Sequence, residues 1–516
     1  MAVILRHVYT REPELEDPAD YPVSDWRSQR TKYSEYWSHW DGGFLEETVS
    51  DTDKYPLKLN VYRMACMLHA GFLFGEVPDG DEPLVKVAVE PWGTNTSDED
   101  KNRSKKVEDF LTRVWSENQG RALQQEAGIV SQILGGCAFG IKYDPSLVES
   151  GRIPIRIEQT IPEYFFPVWN PIEYWNLLET FIAFEITPLQ AKAMYDVKCD
   201  MEDPLYQEHW KTDSVSITVD GKPAKFGELT FDDAKNGGFV PYTYIPHIRV
   251  GRFYGESLLY MKQPLAEEVN ARMADLGDTI AETARQIPAV SNVKHLQTIR
   301  LSNSGLSFVN LGKTMPGHPD PAIVYPQVSG TNQASAKYAS DLLSIARVQA
   351  YTPPICYGWD EGSQRSALTL ALRMIPLIVH IRQERTNWTA GLNQVDEHVL
   401  RIAAAHKLGG IEVKDIMNLR IWQQWSPILP RGREQLINEL ILRLNSDAIS
   451  PEQALDKFGD VRDTVGELGL IKQWMEYKAE LAQSQQANPF GGAGSMGEQS
   501  GLSRPSKPSA SVSQEE

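Results

Sequence analysis

The groups that could do chemistry in this chain are its serines, histidines, cysteines and carboxylates, and their spacing is the first thing to weigh. Ser307 to Thr314 reads SFVNLGKT. A phosphate-binding loop needs glycine at its first position and a helix after its Lys-Thr, so that backbone N–H groups and a helix N-terminus meet the anion. Here serine opens the run, and Met315-Pro316-Gly317 follows it. Gly255-Glu256-Ser257-Leu258-Leu259 lacks the second glycine of a nucleophile elbow, and no hydrolase strand pattern precedes it. His398 and His406 stand eight apart with no third ligand in view. Cys66, Cys137, Cys199 and Cys356 are widely separated, with neither a disulfide framework nor zinc-ligand spacing, which fits a reducing cytoplasm. Carboxylates are abundant, 69 against 51 Lys and Arg, so spacing alone selects no catalytic pair. These observations predict no catalytic residue, no metal site and no cofactor.

The elements that hold these groups are dominated by helices. From about 255 to 285, Leu258, Met261, Leu265, Val269, Leu276 and Ile280 recur at three and four, one apolar stripe on one long rod. At about 1.5 Å per residue that rod spans about 45 Å, and Ile287-Pro288 forbids continuation. Glu267, Glu268, Asp275, Asp278 and Glu282 fall within an arc of roughly 100° nearly opposite the stripe. Such an arc is either a solvated face or a functional acidic wall. From Pro288 to Gly330 short β-like runs alternate with Gly, Pro and Asn: Ala289-Val290, Leu306 to Leu311, and Ala322 to Tyr325. A second helix, about 334–350, then returns the chain antiparallel to the first. Tyr351-Thr352-Pro353-Pro354 stops it, and Ser363 offers an N-cap to a helix that persists to about His406 with a kink at Pro376.

Elsewhere, residues 1–59 read as an extended arm with a short helix near Trp26 to His39. Asn60 caps a helix through Phe72, and a further helix spans 105–134. Strand-like runs follow at Phe139–Tyr143, Ile153–Ile157, Phe181–Ile186, Val215–Val219 and Phe239–Ile245, with a hairpin turn at Asp220-Gly221. The aromatic cluster between Tyr164 and Trp175 reads as core. Helices resume after Gly432, one of them opened by Ser450-Pro451, and the Gln-, Gly-, Ser- and Pro-rich stretch 484–516 predicts disorder. Net charge is −18, which argues against a surface that grips nucleic acid through clustered cations. The most apolar run, Ala367 to Ile381, is interrupted by Arg373 and is too short to span a bilayer, so no membrane segment is expected.

The order of rod, β insert, returning rod, loop and long helix resembles the portal proteins of tailed bacteriophages. Gly255-Glu256-Ser257 with Leu265, Asn270, Asp275 and Asp278 is similar to that family's stem pattern. Thr352-Pro353-Pro354 before the loop and Ser366-Ala367-Leu368 after it are similar to its loop-flanking signals, although the family's glycine is missing here. The resemblance implies an α+β portal fold: an arm (1–59), an α/β wing (60–250), a first stem helix (251–287) and a small β-containing clip (288–332). A second stem helix (333–350), a tunnel loop (351–365), a long kinked helix with a wing return (366–430), crown helices (431–483) and a disordered tail (484–516) complete it. It further implies a dodecameric ring at one vertex of the virion, assembled in the host cytoplasm, through which double-stranded DNA is packaged and ejected. The terminase large subunit and then a head-tail adaptor would dock on the clip at Lys294, His295, Arg300 and Lys313; major capsid and scaffold proteins would meet the wing. Tyr357, Trp359, Asp360, Glu361, Gln364 and Arg365 would line the channel at the tunnel loop, and Glu268, Asp275, Asp278 and Glu282 would face the lumen or a subunit seam. DNA must slide, so a wall that repels phosphates suits a channel. A different head or tail structural protein, such as a scaffold, or a hydrolase, are the alternatives.

Overall fold

Helical and alternating hydrophobic patterns sort into a mixed α+β fold in the computed structural model, which describes residues 11–43, 59–75, 83–93, 97–224, 238–284, 289–291, 297–300, 307–310, 317, 322–324, 331–358, 371–429, 433–446, 448–458 and 464–486. The chain divides into two units, Met1–Pro430 and Arg431–Glu516. Among the described residues no helix is long and apolar enough to cross a membrane.

In the first unit, α1 (Val23–Asp41) buries Trp26, Tyr33, Tyr36 and Trp40 along one face. The indole of Trp26 donates to the Pro167 carbonyl at 3.0 Å and that of Trp37 to Glu163 at 2.8 Å. This stretch, expected as part of an extended arm, is therefore docked on the body through its aromatic side chains. Next, α2 (Val61–Phe74) starts where the Asn60 carboxamide accepts from the Arg63 N–H. A strand, β1 (Lys86–Pro91), precedes α3 (Asp98–Glu117), which Ser97 and Asp100 open with a capping box. The single helix expected over 105–134 is two, α3 and α4 (Gly120–Leu134), because the chain turns at Gln119 with φ 56°. Asn118 pins that turn, donating to the carbonyls of Val114 and Ile155 and accepting from the Ile157 N–H.

The strands that follow are β2 (Gly136–Tyr143), β3 (Ile155–Thr160), β4 (Phe165–Trp169) and β5 (Leu177–Glu185). After α5 (Pro188–Tyr195) come β6 (Leu205–Lys211), β7 (Val215–Val219), β8 (Lys222–Pro223) and β9 (Tyr242–Pro246). They form two antiparallel sheets, in the orders β3-β2-β9 and β4-β5-β6-β7-β8. Asp220 and Gly221, both at positive φ, join β7 to β8 as the hairpin turn expected. Tyr164, Phe165 and Phe166 of the aromatic cluster are core, whereas Trp175 is exposed.

After β9 come α6 (Gln263–Ala284), the short strands β10 (Ala289–Ser291), β11 (Gln297–Arg300), β12 (Ser307–Asn310) and β13 (Ala322–Val324), and α7 (Thr331–Gln349). The inner pair β11-β12 is nested within the outer pair β10-β13, both antiparallel. Helix α8 (Ile375–Ala405) then packs on β9 and buries Trp388, Leu392, Val395, Val399 and Ile402 completely in the main core. Gly391 allows its approach to β9, since a Cβ there would lie 2.4 Å from Ile245 Cγ1. Finally β14 (Leu419–Gln424) pairs antiparallel with β1, tying the end of this unit to its beginning.

Pro376 was expected to kink a helix running from Ser363. It stands instead in the first turn of α8, where its missing N–H is not needed. Residues 371–373 before it are helical and Met374, with ψ 0°, separates the two.

The second unit holds α9 (Arg433–Asn445), α10 (Pro451–Phe458) and α11 (Thr464–Gln486). The Ser450 hydroxyl accepts from the Gln453 N–H, the cap read from Ser-Pro. Helix α11 carries the chain to Gln486, so 484–486 are helical; the rest of the stretch expected to be disordered, 487–516, lies outside the described residues.

Candidate functional site

Two places in the first unit gather the residues of functional interest. The first is the helix pair with its insert and following loop. Helix α6 begins eight residues later than its apolar spacing suggests, because Pro264 belongs in a first turn and Met261 has φ 55°. Residues before it are held to the end of α4: Ser257 Oγ donates to the Ile133 carbonyl at 2.6 Å, and the Leu258 N–H to that of Gln132 at 3.0 Å. The buried face of α6 is Ala266, Val269, Asn270 and Ala274, and α7 answers with Ala339, Leu342 and Ala346. Small side chains let the two helices approach closely. The expected stripe holds in part: Val269 is on the buried face, Leu265 and Leu276 are half-buried and Leu258 is buried ahead of the helix, while Met261 and Ile280 are 78% and 55% exposed. Leu258 and Ala266 share a core with Ala346 and Ala350, so the start of α6 meets the end of α7 and the pair is antiparallel.

The acidic arc is not a bare row of carboxylates. Arg272, which lies between them on α6, reaches Glu268 Oε1 at 2.8 Å and Asp275 Oδ2 at 2.9 Å. Its guanidinium holds the Glu268 carboxyl below the usual range. Asp278 is half-buried, and Glu282 lies in the last turns of the helix. In the loop, Tyr357 ends a short 3-10 turn (Pro354–Tyr357); its hydroxyl donates to Thr352 Oγ1 at 3.1 Å and Arg347 lies over its ring. Tyr357 therefore packs the loop onto the end of α7. Trp359, Asp360, Glu361, Gln364 and Arg365 lie outside the described residues. Of the residues expected to receive the terminase and adaptor, Arg300 closes β11 opposite Ser307, and Lys294, His295 and Lys313 lie outside the described residues.

His398 and His406 are not brought together. His398 is buried against Phe239 with Nδ1 3.3 Å from Thr243 Oγ1, and His406 stacks on Tyr143. The four cysteines are free, Cys66 and Cys137 buried and Cys199 and Cys356 half-buried. Two other buried charges are saturated by partners. Lys142 lies between Glu158 at 2.5 Å and Glu208 at 2.8 Å, and Glu208 also accepts from Tyr206, Trp210 and Tyr242. Burial pulls the Lys142 pKa down, but the two carboxylates outweigh it and hold the ammonium well above its ordinary value. Asp396, fully buried, accepts from Trp115 and Gln423, both at 2.7 Å, yet burial pushes its pKa up to about 7.

The second place is a buried polar cluster under the loop. His247 follows β9; His380 and Glu384 lie one turn apart on α8; His69 comes from α2. His380 Nε2 is 3.3 Å and Glu384 Oε2 3.8 Å from His247 Nε2. His247 Nδ1 faces the Glu256 carbonyl at 2.7 Å; a carbonyl can only accept, so Nδ1 carries the proton and Nε2 is left as a lone pair. His69 likewise gives its Nε2 proton to the Ala350 carbonyl at 2.8 Å, and its ring meets that of His380 edge-on. Glu384 Oε1 accepts from Gln132 at 2.5 Å, whereas Oε2 is buried without a hydrogen-bond partner. Burial pushes the Glu384 carboxyl up to about 8 against the pull of Gln132, Arg385 and Trp388, and lowers His69 to about 3 and His380 to about 4. The spacing of His380 and Glu384, four apart on a helix, is the only sign of this cluster in the sequence; His247 is 133 residues away from His380.

No protein-family model matches this chain, and no curated protein sequence matches it.

Proposed function

We propose that this chain is a bacteriophage portal subunit: a non-enzymatic ring component at one capsid vertex that conducts double-stranded DNA during packaging and ejection. The observation that carries this reading is one stretch of topology, the antiparallel helices α6 and α7 joined through nested β pairs and followed by a Pro-stopped loop and the long helix α8. A scaffold protein of long helices has no need of a turn-rich β insert at the end of a helix pair. In this reading α6 and α7 are the stem, 288–332 the clip that receives the terminase large subunit and then the adaptor, and the α/β body the wing that meets capsid and scaffold proteins. Arg272 among the carboxylates of α6 makes that helix's polar face a mixed wall, and alternating charges let a polyanion pass without a deep binding minimum at any position. Exposed apolar residues on the same helix pair, Ile280, Ile345 and Val348, would be covered by neighbouring subunits.

The test is the mass of the purified full chain by light scattering. A ring predicts a many-fold multiple of the 58.1 kDa chain. A monomer that persists on concentration and with scaffold protein present overturns the proposal.

A further inference from the structure

We propose that His247, His380 and Glu384 form a binding site for a divalent transition metal, best matched by zinc, that staples the end of β9 to α8 beneath the loop. The inference does not depend on the portal reading. Zinc takes imidazole nitrogen and carboxylate oxygen at about 2.0–2.1 Å in tetrahedral array, which sets ligand atoms about 3.3–3.4 Å apart. The Nε2 atoms of His247 and His380 are 3.3 Å apart, Glu384 Oε2 is 3.8 Å from the first, and all three ligand atoms lie within 4.8 Å of one another.

Three further features point to a cation. All three residues are buried. Glu384 Oε2 points into the cluster without a hydrogen-bond partner, a costly state for a carboxylate that a metal would relieve. The outer contacts are those that orient metal ligands: the Glu256 carbonyl fixes the His247 tautomer with Nε2 available, and Gln132 holds the other Glu384 oxygen. Softer ligands are absent from the trio, and two imidazoles disfavour magnesium or calcium, which take oxygen. The fourth position is left for water. Lys262, half-buried nearby, donates to the Leu258 carbonyl, and desolvation brings its pKa down to about 8.

Tag-free full chain is stripped with chelator, then loaded with zinc(II) alone and, separately, cobalt(II) alone. The expected results are about one metal per chain by elemental analysis, and visible cobalt d–d bands of tetrahedral intensity. Glu384→Gln and His380→Gln should each lower metal uptake at least tenfold while the far-ultraviolet circular dichroism is kept. Wild-type protein that takes up no zinc, or whose cobalt spectrum is octahedral or shows thiolate charge transfer, overturns the proposal whether or not the variants fold. Undiminished uptake by folded variants overturns it equally, and leaves the cluster as a metal-free polar contact.

Discussion

Replacing Asn270 by alanine removes three hydrogen bonds from the base of the helix pair. Its carboxamide accepts from the Leu59 N–H at 2.7 Å and donates to the Leu59 carbonyl at 2.9 Å and the Ala266 carbonyl at 2.8 Å. Leu59 directly precedes Asn60, the cap of α2, whose own amide donates to the carbonyls of His39 and Trp40. Two asparagines thus lock the crossing between α1, α2 and α6. A buried group left without its partner costs about 1–3 kcal/mol, and Leu59, being half-buried, regains some water, so about 2–3 kcal/mol for the site is the expected loss. At 1.4 kcal/mol per factor of ten, the Leu59 amide should exchange its hydrogen about 30- to 140-fold faster in Asn270→Ala. Hydrogen exchange read by mass spectrometry, with α9 peptides as the internal reference, measures this without requiring the whole chain to unfold in one step. If a folded Asn270→Ala protein keeps wild-type protection at Leu59, the clamp does not hold this crossing and the reasoning fails.

Three other perturbations follow from the same geometry. Asp396 has a folded pKa, about 7, above its ordinary value of 3.8, so its contribution to stability is full below about pH 4 and is lost as pH rises through 7; at about 1.4 kcal/mol per tenfold, up to about 4 kcal/mol is involved. Asp396→Asn removes the titrating group, and denaturant midpoints of variant and wild type should diverge in the variant's favour between pH 4.5 and 7.5; a constant difference would refute this. Lys142→Met strands the buried Glu208 carboxylate and should destabilise by about 3–5 kcal/mol, with Lys142→Met plus Glu208→Gln recovering most of it; a thermal midpoint for the single variant equal to wild type would contradict that. Asp275→Lys with Glu282→Lys should impair DNA packaging and retention if this face of α6 lines the lumen or a subunit seam, and unchanged packaging counts against that role.

What could be read from the sequence was local. Asn60 and Ser450-Pro451 announce helix starts, and Asp220-Gly221 announces a two-residue hairpin, because cap and turn chemistry depends on neighbours in the chain. The helix–insert–helix order was legible for the same reason. What was not legible depends on distant partners. Among the described residues, strand β1 has its only sheet partner in β14, more than 300 residues on. In β6, Leu205–Lys211, Glu208 is an acid in a buried position that Lys142 from β2 makes tenable, so the alternation is disguised. On α6, Ala266 and Ala274 join Val269 on the buried face while Ile280 is exposed, so spacing counted by the larger apolar residues found only part of the face that is buried. The histidine cluster joins α2, the end of β9 and α8, and only the pair on α8 leaves a periodic trace.

Electron microscopy of the purified full chain tests the central claim most directly. The portal account predicts rings with an axial hole and, in the reconstruction, α6 and α7 arrayed around that channel with the nested β pairs projecting at one end. Compact particles with no channel, or rings whose α6 and α7 helices lie on the outer rim, would contradict it.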